Sequence, residues 1–147
     1  MLDSSLIKLS TSKTLLASED HTSQATTHCD SEQDIAGRHY IVDFYGASYL
    51  ADLELMEQSL VDAAHVAGAT LLHIHLHQFT GGGGITGVAL LAESHISFHT
   101  FPEKGIISFD FFTCGKISPS VALEVLKKEI KHTRIVKKEF NRDTIDY

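Results

Sequence analysis

The chain has 147 residues, with 12 Lys and Arg against 19 Asp and Glu, a formal charge of −7 with His neutral. That length builds a single domain, and the acidic balance excludes a general nucleic-acid or anionic-membrane binder, which needs a surplus of cations. Two cysteines, Cys29 and Cys114, are too few for a disulfide framework or a four-cysteine zinc site. With no apolar run of bilayer length and no leader-like start, the reading is cytoplasmic.

Residues 1–36 are rich in Ser, Thr, Asp, Glu, Gln and His and carry no apolar period. Such a segment cannot offset its ordering entropy by burial, so it reads as a disordered polar tail ahead of a domain over 37–147. His39–Tyr45 is a β-rich run ending at Gly46. From Leu50 to Ala67 the apolar positions Leu53, Met56, Leu60, Ala63, Ala64 and Ala67 recur at helical spacing, and Gly68 stands where a helix end wants a left-handed residue. Thr70–Phe79 and Gly87–Phe101 read as strands joined through the glycine loop Gly81–Gly84. Pro102–Gly105 forms a turn into a strand over Ile106–Thr113. Ser118 as N-cap, followed by Pro119, starts a helix to about His132, and Arg134–Phe140 closes the domain as a strand.

The predicted order is β-α-β-β-β-α-β, an α+β fold in which two helices cover one face of a mostly antiparallel sheet. Ile107, Phe109 and Phe111 share one face of their strand, while Ile106 and Phe112 lie on the other. Large apolar groups on both faces call for a cover on each. A sheet-to-sheet homodimer, an α/β/β/α sandwich, supplies the second.

Several patterns invite chemistry. His73, His75 and His77 alternate along one strand face, a spacing that can chelate a metal, although a polar face bonded to water is the commoner arrangement and no metal is assigned. Gly81–Gly84 leads into a strand rather than a helix, so it reads as a hairpin and not a phosphate cradle. Cys114 ends a strand before Gly115, as a buried thiol or as a nucleophile or proton donor. The run Glu93-Ser94-His95-Ile96-Ser97-Phe98-His99-Thr100 is the densest in reactive side chains, yet lacks the glycine-flanked elbow of a serine hydrolase. Its polar groups would be costly to bury unpaired, which makes it a functional cluster.

Leu91–Glu103 (LAESHISFHTFPE) together with Phe111–Gly115 (FFTCG) closely resembles the prokaryotic S-adenosylmethionine decarboxylases, and Gly37–Asp43 and Ile85–Val88 match the same family. The resemblance runs from about Gly37 to Phe140. It implies a pyruvoyl-dependent, self-processing enzyme. Ser94 attacks the carbonyl of Glu93, and the chain divides into a β chain of 1–93 and an α chain of 94–147 that begins with the pyruvoyl group. The resemblance gives His99 the proton transfers of processing, with Thr86 assisting. In turnover the pyruvoyl group derived from Ser94 forms a Schiff base with S-adenosylmethionine, carbon dioxide leaves, and Cys114 returns a proton. The product serves spermidine synthesis. Glu103 corresponds to the carboxylate on the ribose hydroxyls, and Phe79 and Phe101 are candidates to stack on adenine. Phe101 replaces the family's usual Trp. The implied assembly is a homodimer of αβ protomers, with no nucleic-acid or membrane partner. Alternatives are an ornithine or arginine decarboxylase on the same scaffold, or a non-catalytic ligand-binding module.

Ser94 and His99 are an odd number of positions apart, so a regular strand aims them at opposite faces. Their cooperation requires a break or bulge between them or at the cleavage point.

Overall fold

A computed structural model describes residues 35–143. The expected polar tail lies outside them, except for Ile35 and Ala36, which open the first strand. The elements are β1 (Ile35–Tyr45), α1 (Leu53–Val66), β2 (Leu71–Gln78), β3 (Ile85–Leu91), β4 (Ser94–Phe101), β5 (Ile106–Thr113), α2 (Pro119–Glu129) and β6 (Arg134–Asp143). The strands form one antiparallel sheet in the order β2-β3-β4-β5-β1-β6.

Strand alternation puts Val42, Phe44, Ala89, Ile96, Phe98, Ile107, Phe109 and Phe111 on one face, all buried. Met56, Leu60, Ala63 and Ala64 of α1 and Ala122, Leu123 and Leu126 of α2 cover that face. Each large side chain so buried contributes about 1.5–3 kcal/mol relative to exposure. Asp52 starts α1, its Oδ1 accepting the Leu55 N–H at 3.0 Å. Gly68 follows the helix with φ of 74°, the left-handed residue expected there. At Gly87 the reason is space: an added Cβ would fall 2.3 Å from Leu76 Cδ2 and 2.4 Å from Phe98 Cε1.

The structure corrects the predicted elements in four places. The single strand expected over Gly87–Phe101 is two strands, β3 and β4, folded back on each other with Leu91 opposite Ser94 and Ala92-Glu93 as the turn. The sheet therefore has six strands rather than five. No Gly, Asn or Asp marks that turn in the sequence; contacts from distant elements hold it. Leu53 is the first residue of α1 and 39% exposed, so the buried stripe begins at Met56. Ser118 stands at the N-cap of α2, but its hydroxyl is engaged with Ser120 Oγ at 2.7 Å and makes no capping bond. That helix stops at Glu129 because Ile130 turns extended and buries its side chain, delivering Thr133 N–H to the carbonyl of Tyr45 at 2.9 Å.

The face away from the helices is open. It carries His73, His75 and His77 on β2, as their alternation predicts, and His95, Ser97 and His99 on β4. Ile41, Leu90, Val136 and Phe140 are exposed, at 38%, 49%, 37% and 47%. Polar pairs lie among them: Ser108 Oγ donates to Asp43 Oδ1 at 2.6 Å, and His39 Nε2 sits 3.1 Å from Asp110 Oδ1.

Candidate active site

The β3–β4 turn gathers three of the sequence-predicted residues. The carbonyl oxygen of Glu93 accepts the backbone N–H of Cys114 at 3.0 Å and lies 3.2 Å from the same residue's Sγ. Cys114 reaches it because β5 pairs with β4, setting Thr113 opposite Ser94 and projecting the next residue toward the turn. Two donors on one carbonyl oxygen polarise the carbon to which Ser94 nitrogen is bonded. Ser94 has φ of 137°. A non-glycine residue in that region carries about 1–3 kcal/mol of strain and persists only where its surroundings impose it. The irregularity in the chain therefore falls at Glu93–Ser94, while β4 continues unbroken from Ser94 to Phe101.

On the other side of the turn the Glu93 carboxylate accepts the Thr70 N–H at 3.0 Å and the Thr70 hydroxyl at 3.2 Å. The Thr70 N–H is the main reason its carboxyl titrates below the ordinary glutamate value, against an opposing desolvation effect. Ser94 Oγ lies 3.2 Å from Nδ1 of His95. His95 is a basic group beside the serine to which the sequence reading assigned no role, although its adjacency was visible. Thr70 is 23 positions from Glu93, and no local pattern could have revealed it.

A second group lies farther along the same strands. Thr86 and His99 face each other across β3 and β4, with Thr86 Oγ1 2.8 Å from His99 Nδ1. They line a cavity of about 210 Å³ with His75, Gly87, Val88 and Ser97. His77 is opposite Thr86 on β2 and meets Phe79 edge-on, with ring centroids 4.9 Å apart. Phe79 is 52% exposed. Its N–H donates to Gly84, which packs against Thr100, so Phe79 belongs to the sheet end that holds Phe101. Phe101 has Lys104 Nζ 5.2 Å from its ring centre, and Glu103 is exposed on the single 3-10 turn Pro102–Lys104.

The chain thus brings Glu93, Ser94 and Cys114 together, and Thr86 with His99, but leaves the two groups apart. His99 lies five positions along the strand from Ser94, about 16 Å at the usual rise and well beyond hydrogen-bond reach. Among the described residues, no three His, Cys, Asp or Glu side chains converge as a metal site, and no helix is long and apolar enough to cross a membrane.

Comparison with known proteins bears on this arrangement. A family model described as S-adenosylmethionine decarboxylase matches residues 38–143. The S-adenosylmethionine decarboxylase proenzyme of Prochlorococcus marinus is 41% identical over 113 residues, 75% of this chain and 90% of that protein. Its counterpart from Parasynechococcus marenigrum is 42% identical over 113 residues, 75% and 88% of the two chains. The crystal structure of adenosylmethionine decarboxylase from Aquifex aeolicus superposes with a TM-score of 0.69 at 34% identity, covering 77% of this chain and 95% of that one. A motif set centred on Glu93-Ser94, a matching fold and relatives aligned over most of both chains lead to one conclusion: this chain belongs to the S-adenosylmethionine decarboxylase family.

Proposed function

We propose that the chain is a proenzyme that cuts itself between Glu93 and Ser94 and then decarboxylates S-adenosylmethionine. The observation that carries this reading is the doubly held Glu93 carbonyl immediately before a serine with φ of 137°. Ser94 Oγ attacks the Glu93 carbonyl carbon, the C–N bond gives way to a C–O bond, and the serine nitrogen leaves as an amine. The negative charge that develops on the carbonyl oxygen is met by Cys114 N–H and Sγ. Loss of the Ser94 α-proton then expels the Glu93 carboxylate as the end of a β chain, 1–93. Hydrolysis of the remaining unsaturated residue consumes one water and releases ammonia, which leaves a pyruvoyl group at the head of the α chain, 94–147. The surroundings fit such a group, because Ser94 is half-buried at the turn while the flanking strands hold it.

That group supplies a carbonyl that takes up the substrate amine and withdraws electrons as carbon dioxide leaves. Cys114 Sγ holds the proton for the substrate α-carbon. Phe79 and Phe101 offer flat faces for the adenine and the adjacent sulfonium, and Glu103 offers acceptors for the ribose hydroxyls. The names of the relatives favour this substrate over ornithine or arginine.

Thr86 and His99 handle protons in processing, and their separation from Ser94 supports a homodimer that completes the site. The exposed apolar residues of the open face favour a second sheet upon it. A two-fold axis crossing the strands near Ser97 lays the Ser94 end of one sheet over the His99–Phe101 end of the other. Each site then takes Ser94 and Cys114 from one protomer and Thr86, His99 and the nucleoside-binding residues from its partner.

Intact mass under denaturing conditions tests the reading. Wild-type protein should give two fragments divided between Glu93 and Ser94, the second beginning with pyruvoyl, while Ser94→Ala should stay whole. A wild-type chain that remains at full mass after prolonged incubation overturns the proposal. Carbon dioxide release from S-adenosylmethionine, ornithine and arginine then separates the substrates.

A further inference from the structure

The scissile turn is gripped from outside the hairpin by one residue that the motif set does not contain. Thr70 precedes β2, in the connection that follows α1. Its carbonyl accepts the Ala92 N–H at 2.9 Å, its N–H donates to Glu93 Oε2 at 3.0 Å and its hydroxyl donates to Glu93 Oε1 at 3.2 Å. Both residues of the turn are therefore tied to one point. Cys114 holds the Glu93 carbonyl from the β5 side, so Glu93 is fixed by its side chain and its main chain at once.

We infer that Thr70 is a positioning residue for self-cleavage: by clamping the Glu93 side chain it fixes the rotation of the Glu93–Ser94 peptide and presents its carbonyl carbon to Ser94 Oγ. This rests on the self-cleavage reading above. The chemistry requires such a clamp. Attack on a carbonyl needs the nucleophile near 3 Å on a defined line, and a two-residue turn without glycine, ending in a residue with φ of 137°, relaxes unless neighbours restrain it. Cys114 and the pairing of Ser94 with Leu91 and Thr113 hold the main chain of the turn but do not hold the Glu93 side chain. The carboxylate clamp supplies a second point of attachment, and charge-assisted bonds are the stronger kind. The Glu93 carboxyl titrates below the ordinary glutamate value, first because of the Thr70 N–H, which agrees with a carboxylate held in its ionised form. Thr70 is exposed, so removing its hydroxyl opens no cavity in the core.

The test is a time course of chain cleavage, read by intact mass on freshly refolded or newly translated full-length protein, for wild type, Thr70→Val and Thr70→Ser. Valine keeps the shape and backbone N–H and loses the hydroxyl; serine restores it. The expected result is cleavage slowed about five- to tenfold in Thr70→Val, the size of one lost hydrogen bond, with Thr70→Ser near wild type and all three melting together. Thr70→Val cutting as fast as wild type overturns the role of Thr70, as does Thr70→Ser cutting as slowly as Thr70→Val. A slow variant whose melting temperature falls in parallel also overturns it in favour of a structural role. A wild-type chain that never cuts overturns the self-cleavage reading and this inference together, which distinguishes the two failures.

Discussion

The separation of Ser94 from His99 makes a quantitative prediction about subunits. The two residues lie on one unbroken strand, five positions apart, and about 3.3 Å of rise per residue sets them about 16 Å apart. Proton transfer needs donor and acceptor within about 3 Å or one bridging water, and His99 is further restrained by Thr86 Oγ1 at 2.8 Å from its Nδ1. Within one chain the pair cannot act together, so the proposed shared site requires the partner's copy of one of them. A Ser94→Ala chain retains His99 to serve its partner, and a His99→Ala chain retains the scissile serine. Each variant made alone has no complete site and stays whole. Co-expressed at equal levels with different tags, random pairing makes about half the dimers hybrid, each with one complete site, so about a quarter of all chains should be cut. All of the cut chains should carry the His99→Ala tag. Intact mass of the two tagged species reads both the fraction and the identity. A co-expressed mixture that cuts no more than the separate variants would refute the shared site, and His99→Ala cutting at the wild-type rate would remove His99 from the chemistry. In that case His95, 3.2 Å from Ser94 Oγ, becomes the base to mutate.

Two further substitutions probe the frame around the site. Gly87→Ala drives a methyl group into Leu76 and Phe98; overpacking of that kind costs about 1–3 kcal/mol, and each kcal/mol should lower the melting temperature by about 4 °C in a chain of this size. An unchanged melting temperature would mean those side chains yield at no cost. Glu129 of α2 has an Oε2 buried without a hydrogen-bond partner, and burial first, then Asp62, pushes its carboxyl to titrate above the ordinary glutamate value, with Ser59 opposing. A carboxyl raised in the folded state stabilises the fold below its unfolded value and loses that contribution as pH rises through its folded value. Glu129→Gln should therefore melt above wild type at neutral pH, with the gap narrowing as pH falls through the raised value and closed below the ordinary glutamate range, where Glu129 is protonated in both states. A gap independent of pH would place the effect elsewhere.

Most of the elements were legible because they rest on local rules. The period of Met56, Leu60, Ala63 and Ala64 marked α1, Gly68 its end, and the alternation of Ile107, Phe109 and Phe111 the buried face of β5. The family was legible too, since Glu93-Ser94 with the later Cys114 is a specific set of residue types at specific positions. The hairpin at Ala92-Glu93 was not. Its residues carry no turn preference, and an apolar run with strand propensity reads straight through it. Backbone conformation there is decided by Thr70 and Cys114, which lie 23 and 21 positions from Glu93. For the same reason the sequence named His99 as the partner of Ser94 but could not say how they meet. Residue identity is carried along the chain, whereas distance is set by which strands pair, and here pairing puts Cys114 against the Glu93 carbonyl and leaves His99 about 16 Å from Ser94.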